Sequence, residues 1–297
     1  MAGPDAPKDA PRSAPLRNAA TLVLARAAQQ GRGIEVFLSR RTAKAAFMAN
    51  AWVYPGGRVD DDDADERIGA RLLPERAEDF ARPFEDDIDH ALARAHYVAA
   101  LRESFEEAGV LYARHEDGRP VDLTDPTTRE RLAAHRAALN RHERSFLEIL
   151  EAERLVLDAT GLVYFAHWIT PPFESRRYDT RFFFSVLPAG QEPVPDRAEL
   201  VHGEWLSPAA ALDAAAAAEI QLAPPTLCTL DDLDRCDDID AAIAWADAEI
   251  PVPILPKMKK LDDGMALLLP GDAEYPAEQP VQGPTRVVWR EGRFVRE

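Results

Sequence analysis

The spacing of apolar and polar positions changes several times along this chain, and each change marks an element. Ala20 to Ala27 and Ile34 to Leu38 are short apolar runs separated by the polar, glycine-containing stretch Gln29 to Gly33, the pattern of two strands in a hairpin. Trp52 to Tyr54 predicts a third short strand, stopped by Pro55-Gly56-Gly57. Asp60 to Asp89 loses the pattern: rich in Asp, Glu, Arg and Pro, it reads as a solvated loop with at most a short helix. His90 to Tyr112 is Ala-rich and free of Pro, with Ala91, Ala95, Val98, Leu101 and Phe105 at spacings of three to four. That periodicity predicts a helix, and Gly109 near its end suits a left-handed cap.

Thr124 to Asp158 predicts one or two further helices, with Leu132, Leu139, Phe146 and Leu150 as the buried stripe. Leu162 to Ile169 and Arg181 to Leu187 are strand candidates joined through Thr170-Pro171-Pro172 and a basic loop at Arg176-Arg177. A further strand, Leu200 to Leu206, runs into a helix start at Ser207-Pro208. Beyond Leu222, Thr229 to Asp247 predicts a helix, and Met265 to Leu269 and Arg286 to Trp289 predict late strands. Strands and helices interleave without a strict βαβ order, so the expected class is α/β (α+β), a mixed sheet sandwiched between helices. The expected organisation is a disordered tail over residues 1–15 and one domain over 16–297. That domain has insertions near 60–90 and 116–158 and a C-terminal extension from about 222.

Composition narrows the function. The chain has 297 residues, 46% of them hydrophobic, enough for a sizeable core. It has no apolar run long enough to span a membrane, and no signal or peroxisomal address is readable, so the expected location is cytoplasmic. Cys228 and Cys236, with no nearby histidine pattern, are expected to be reduced and inert. A formal charge of −17 disfavours a nucleic-acid polymer as partner. A small anionic substrate stays compatible with it, provided that a divalent cation reverses the local charge.

The segment Arg102-Glu103-Ser104-Phe105-Glu106-Glu107-Ala108-Gly109-Val110 supplies a place for that cation. Glu103, Glu106 and Glu107 stand at i, i+3 and i+4, neighbours on one helical surface, where like charges repel. Arg102 is expected to pair with one of them, Glu106 at i+4. Hard carboxylate oxygens suit Mg²⁺ or Mn²⁺, which also take water and substrate phosphates as ligands. A diphosphate substrate follows from that chemistry.

These residues resemble the Nudix box. RESFEEAGV is similar to its second half, with Ser104 in place of an aliphatic residue, and Tyr54-Pro55-Gly56-Gly57 is similar to its opening. Between Gly57 and Arg102 lie 44 residues where the box has 13, an insertion of 31. The insertion resembles the split-box coenzyme A diphosphatases of peroxisomes, as do Phe37 to Arg41, Arg177 to Phe183, Trp205 to Pro208 and Leu269 to Asp272. The resemblance implies a Nudix fold and Glu103, Glu106 and Glu107 as metal ligands, with Glu103 a candidate base and Arg102 a member of the catalytic set. It also implies the Gly56 carbonyl as a ligand and a later ligand or base from Glu199 or Glu204. Asp60, Asp61, Asp62 and Asp63 compete for the upstream acidic position, with Asp60 attractive. Arg40, Arg41, Arg176, Arg177 and Arg181 are candidate phosphate anchors.

The implied reaction is cleavage of coenzyme A or acyl-coenzyme A at its phosphoanhydride. The alternatives are an ADP-ribose or dinucleotide pyrophosphatase, and a non-catalytic nucleotide-binding regulator. The helical insertion is a candidate substrate cover or homodimer contact.

Overall fold

A computed structural model describes residues 14–29, 32–44, 48–74, 80, 84, 88–248, 250–262, 264–278 and 280–297. The expected tail, up to residue 13, lies outside the described residues, as does part of the turn after Gln29.

The first strand, β1 (Leu16–Ala27), organises the main sheet. Its apolar run is buried on both sides, with Leu22 and Leu24 in one core and Val23 and Ala25 in the other, as a strand covered on both faces requires. β2 (Ile34–Arg41) pairs antiparallel with the end of β1 as the expected hairpin, and β3 (Ala51–Val53) pairs with β2. β4 (Gly56–Arg58) then returns to β1, setting Gly56 opposite Thr21 and Gly57 opposite Ala20.

The stretch from Asp60 to Asp89 is more ordered than its composition suggests. A 3-10 turn at Asp61–Ala64 leads into α1 (Glu66–Gly69) and β5 (Leu72–Leu73), and Ile68, Leu72, Phe80 and Phe84 are buried in the core. The expected solvated loop is therefore corrected: its scattered apolar residues pack under the next helix, and that burial outweighs the charge around them. Several residues between Pro74 and Ile88 lie outside the description.

α2 (His90–Ala108) is the long helix of the fold. The Asp89 side chain accepts from the Leu92 N–H at its start, and Gly109 closes its end in the left-handed conformation at φ 69°. It ends at Ala108, so Val110 to Tyr112, expected in the helix, follow it as coil. Val98, Leu101 and Phe105 pack onto Leu22, Leu24 and Phe183 of the sheet.

The region Thr124 to Asp158 divides into α3 (Pro126–Asn140), α4 (Phe146–Glu153) and the strand β7 (Leu155–Asp158), after a short β6 (Ala113–His115). β5, β7 and β6 form a separate three-stranded sheet. β8 (Val163–Ile169) and β9 (Arg177–Val186) rejoin the main sheet, with β9 parallel to β1 from Leu16 opposite Arg177 to Ala25 opposite Val186. β10 (Leu200–Leu206) covers the other edge of β2.

After α5 (Pro208–Ala216) and β11 (Gln221–Leu222), the single helix expected over Thr229 to Asp247 is two, α6 (Pro224–Leu233) and α7 (Ile239–Ala246). Leu227, Leu230 and Leu233 of α6 fill the second core, behind the sheet. The chain finishes with β12 (Pro253–Ile254), which extends the main sheet beside β8, and with β13 (Lys257–Leu261), β14 (Gly264–Leu268), β15 (Arg286–Arg290) and β16 (Arg293–Arg296). These last four make an antiparallel sheet of their own. The main sheet thus runs β11-β3-β2-β1-β9-β8-β12, with helices on both faces, the expected α/β arrangement.

Candidate active site

The pairing of β1 with β4 carries Gly56 and Gly57 to the last two turns of α2. The Gly56 N–H donates to Glu107 Oε2 at 2.8 Å, joining strand and helix across 51 residues of sequence. A Cβ on Gly57 would overlap the Glu103 carboxylate, so only glycine leaves that group its place. The carboxylates are correspondingly less exposed than an acidic surface helix would present: Glu107 is 5% exposed, and Glu103 and Glu106 are partly covered.

Arg102 is the hub. Its Nε and Nη2 hold both oxygens of Asp63 at 2.8 and 2.9 Å, Nη2 also donates to the Arg58 carbonyl, and Nη1 reaches Glu103 at 2.9 Å and Glu106 at 3.2 Å. The expected single pairing with Glu106 is thus corrected, because the planar fork spans several acceptors at once. The structure also separates the four consecutive aspartates. Asp63 is 1% exposed and accepts from the Asp60 N–H as well as from Arg102, whereas Asp60 stays half-exposed, 3.7 Å from the guanidinium.

Burial dominates the electrostatics. It pushes Glu103 up to about 7 against the pull of Arg102, with Glu106 adding like-charge repulsion. Glu107 is raised well above its usual range by burial and then by Glu103, while the Gly56 N–H and the Arg41 charge draw it back. Glu106 is likewise raised by burial, and Arg102 draws it back. Arg102 therefore holds Asp63, Glu103 and Glu106 at hydrogen-bond distance in a confined space.

The donor set fits a divalent cation. Its oxygens are hard, and burial among like charges raises the carboxylates against ionisation, which a cation would relieve. Among the described residues no three acidic, histidine or cysteine side chains already converge on a point as a closed cage. The arrangement is of the kind that shares its ion with water and phosphate oxygens, which is how Mg²⁺ is commonly held.

The remaining expected residues are distributed unevenly. Arg41, opposite Leu200 at the end of β2, adds its charge to the surroundings of Glu107, as does Glu199, an exposed residue whose carbonyl accepts from the Thr42 N–H. Glu204 is not brought to the carboxylates. It lies opposite Leu38, a residue of the second core, and its nearest ionic neighbour is His202 at 3.6 Å. Arg40 projects to that same far face, opposite Trp52. Arg176 is exposed in the loop before β9, and Arg177 donates to the Thr170 carbonyl. Arg181 is buried under α2, where it binds Asp179, faces His96 and lies over the Phe84 ring at 5.5 Å. The five arginines expected as phosphate anchors thus occupy separate places, with Arg41 the member beside the acidic helix.

Two residues that the sequence reading passed over join the site. Arg136 of α3 donates its Nε to the Glu106 carbonyl at 2.9 Å, and Asn140 Nδ2 reaches the same oxygen at 3.2 Å. Both belong to an unremarkable amphipathic helix, and no spacing signal marks them.

The NUDT19 Nudix domain family matches residues 73–233, just over half of the chain. The chain belongs to this Nudix family. Its relatives include the acyl-coenzyme A diphosphatase NUDT19 of Xenopus laevis, 26% identical over 284 residues, covering 86% of this chain and 74% of that protein. The Homo sapiens protein of the same name is 29% identical over 280 residues, covering 82% and 72%. Among solved structures, a NUDIX hydrolase from Alicyclobacillus acidocaldarius is 30% identical with a TM-score of 0.61, covering 77% of this chain and 96% of that one. The expected Nudix fold and Nudix enzyme class therefore hold, with the split in the box accommodated by the partly buried insertion between β4 and α2.

Proposed function

We propose that this Nudix pyrophosphohydrolase cleaves coenzyme A or an acyl-coenzyme A at its diphosphate, giving adenosine 3′,5′-bisphosphate and a phosphopantetheine product. The observation that carries the reading is the packing of Glu103 and Glu107 against Gly56-Gly57, a buried carboxylate surface with too little positive charge of its own. Relatives named acyl-coenzyme A diphosphatase, aligned over about three quarters of their length, support the substrate.

In this reading Glu103, Glu106, Glu107 and the Gly56 carbonyl hold Mg²⁺ or Mn²⁺, with Glu199 a candidate further ligand. The ion, when bound, supplies charge neutralisation at the phosphoryl oxygens and acidifies water. The chain's own groups do the rest. Glu103, fixed in place by Gly57, takes the proton of the attacking water. The water oxygen bonds to one phosphorus, the P–O–P bridge breaks, and the departing phosphate keeps the electron pair. Arg102 has its donors committed to Asp63, Glu103, Glu106 and Arg58, which makes it a positioning residue rather than a substrate contact. Arg41, whose charge acts on Glu107 and which has no side-chain ion pair among the described residues, anchors a phosphate in this reading.

No described helix is long and apolar enough to cross a membrane. Cys228 and Cys236 are both free thiols, which suits a reducing compartment, and we place the reaction in the cytoplasm.

The test is a panel of diphosphate substrates with Mg²⁺ or Mn²⁺ and identification of the products. Release of adenosine 3′,5′-bisphosphate from coenzyme A is expected. Turnover of ADP-ribose or NADH without turnover of coenzyme A would overturn the substrate reading, and nucleotide affinity without any turnover would point to a regulator.

A further inference from the structure

Arg40 and Arg41 are consecutive on β2, so their side chains leave opposite faces of the sheet one backbone step apart. Arg41 stands on the side of Glu107. Arg40 opens onto a separate cavity of about 400 Å³, formed where β2, β3 and β11 meet the turn between β15 and β16. That volume lies in the range of small-molecule sites.

Three features of the lining point to a ligand. Arg40 and Arg293 bring two guanidiniums to the same space, in a chain whose formal charge is −17. Arg40 makes no side-chain hydrogen bond or ion pair among the described residues, and the ion pair of Arg293 is a long 3.7 Å contact to the highly exposed Glu291. Trp52, 8% exposed and braced edge-on by His202 at 5.4 Å, contributes the uncovered part of its ring to the apolar wall. Glu219 also lines the rim and Glu291 faces Arg293, but both carboxylates are exposed and screened.

We propose that this cavity binds a phosphomonoester carried on the ribose of a purine nucleotide. Arg40 and Arg293 take the phosphate and Trp52 walls the base, while the diphosphate of the same molecule lies around the strand end at Arg41 and the carboxylates. The proposal rests on the substrate reading above for its identification of the ligand, since coenzyme A carries a 3′-phosphate on the same ribose as its 5′-diphosphate. It assigns discrimination for that phosphate to a pocket outside the Nudix box.

The test uses the full chain in EDTA, so that binding through a metal does not contribute, and measures by calorimetry the affinities for adenosine 3′,5′-bisphosphate and for AMP. The wild type should prefer the bisphosphate by about tenfold or more, the value of a charge-assisted contact. The double variant Arg40→Gln/Arg293→Gln, altered only at solvent-accessible side chains, should lose that preference while keeping its affinity for AMP and its circular dichroism. Each single variant should lose part of it. Equal affinity of the wild type for the two nucleotides, or a preference that survives in the double variant, would overturn the proposal. Assaying coenzyme A hydrolysis on the same samples separates this outcome from the substrate reading. Hydrolysis without 3′-phosphate preference removes the pocket alone, and preference without hydrolysis removes the substrate reading alone.

Discussion

Arg136 and Glu106 lie 30 residues apart in sequence and on different helices, yet the guanidinium of one donates to the main-chain carbonyl of the other at 2.9 Å. The last carbonyls of a helix lack intrahelical partners, and a cation at that end also opposes the helix dipole. The helical insertion is thereby fastened to the turn that carries Glu106 and Glu107. Arg136→Ala should lower stability by about 1 kcal/mol, below the ~1.5–3 kcal/mol of a hydrogen bond from a charged donor, because Asn140 still reaches the same oxygen. Its larger effect should be on kcat, about tenfold down, through a helix end free to shift by a fraction of an ångström. Thermal melts and steady-state kinetics on the same preparation check both, and unchanged kcat would detach the insertion from the chemistry.

Gly56 and Gly57 adjoin in sequence but should fail differently when replaced by Ala. At Gly56 an added Cβ would meet the Ala20 carbonyl oxygen at 2.6 Å and the Thr21 Cα at 2.8 Å, backbone atoms of the central strand that cannot yield. Gly56→Ala is therefore expected to destabilise the fold by about 2 kcal/mol or more, as overpacking does. At Gly57 the obstacle is the end of the Glu103 side chain, which can swing away. Gly57→Ala should melt within a few degrees of the wild type and lose most of its turnover. A Gly57→Ala protein with full activity would show that the placement of Glu103 is irrelevant to catalysis.

These contrasts also show what a linear reading can reach. The acidic helix was legible because Glu103, Glu106 and Glu107 repeat at the helical period beside an arginine, and Tyr54 to Gly57 because a strand must stop there. Both signals are local. Asp63 was not distinguishable from its three neighbours, since only burial against Arg102, 39 residues away, separates them. Arg181 looked like a phosphate anchor in a basic stretch. The parallel pairing of β9 with β1 and strand alternation instead turn it beneath α2. The buried part of the insertion was hidden in the same way, because Ile68, Leu72, Phe80 and Phe84 are too sparse to form a period and acquire partners only when α2 closes over them.

Glu107→Gln separates charge from shape. The amide oxygen can still accept from the Gly56 N–H, so the joint between strand and helix survives. Removing one of several like-charged carboxylates whose burial disfavours ionisation should leave the melting temperature of the metal-free protein unchanged or higher. Turnover should fall by about 100-fold or more, in proportion to the loss of an ion-holding charge. Mg²⁺ or Mn²⁺ should raise the melting temperature of the wild type by binding the folded form and raise that of the variant much less. Wild-type turnover in the variant would remove Glu107 from the site.

His96 governs a different pH response, away from the carboxylates. Its Nδ1 donates to the Leu92 carbonyl at 2.8 Å, leaving Nε2 facing Arg181 Nη1 at 3.5 Å beneath α2. Burial, reinforced by the Arg181 charge, pulls the imidazole down to about 4, although Asp179 on the same strand works the other way. Because the unfolded chain takes up this proton near pH 6.5 and the folded chain only near 4, the stability from a neutral His96 is fully present above 6.5. It is lost as pH falls through that window, at about 1.4 kcal/mol per pH unit. His96→Gln, which keeps a donor for Leu92 and cannot titrate, should therefore flatten the decline in melting temperature between pH 6.5 and 4 while costing some stability at pH 8. His167 and Asp179, bonded at 2.6 Å, also face this cluster and remain in the variant, so the difference between the two proteins isolates His96. Parallel melting curves across that range would mean that the imidazole is already protonated in the folded protein, with Asp179 outweighing burial.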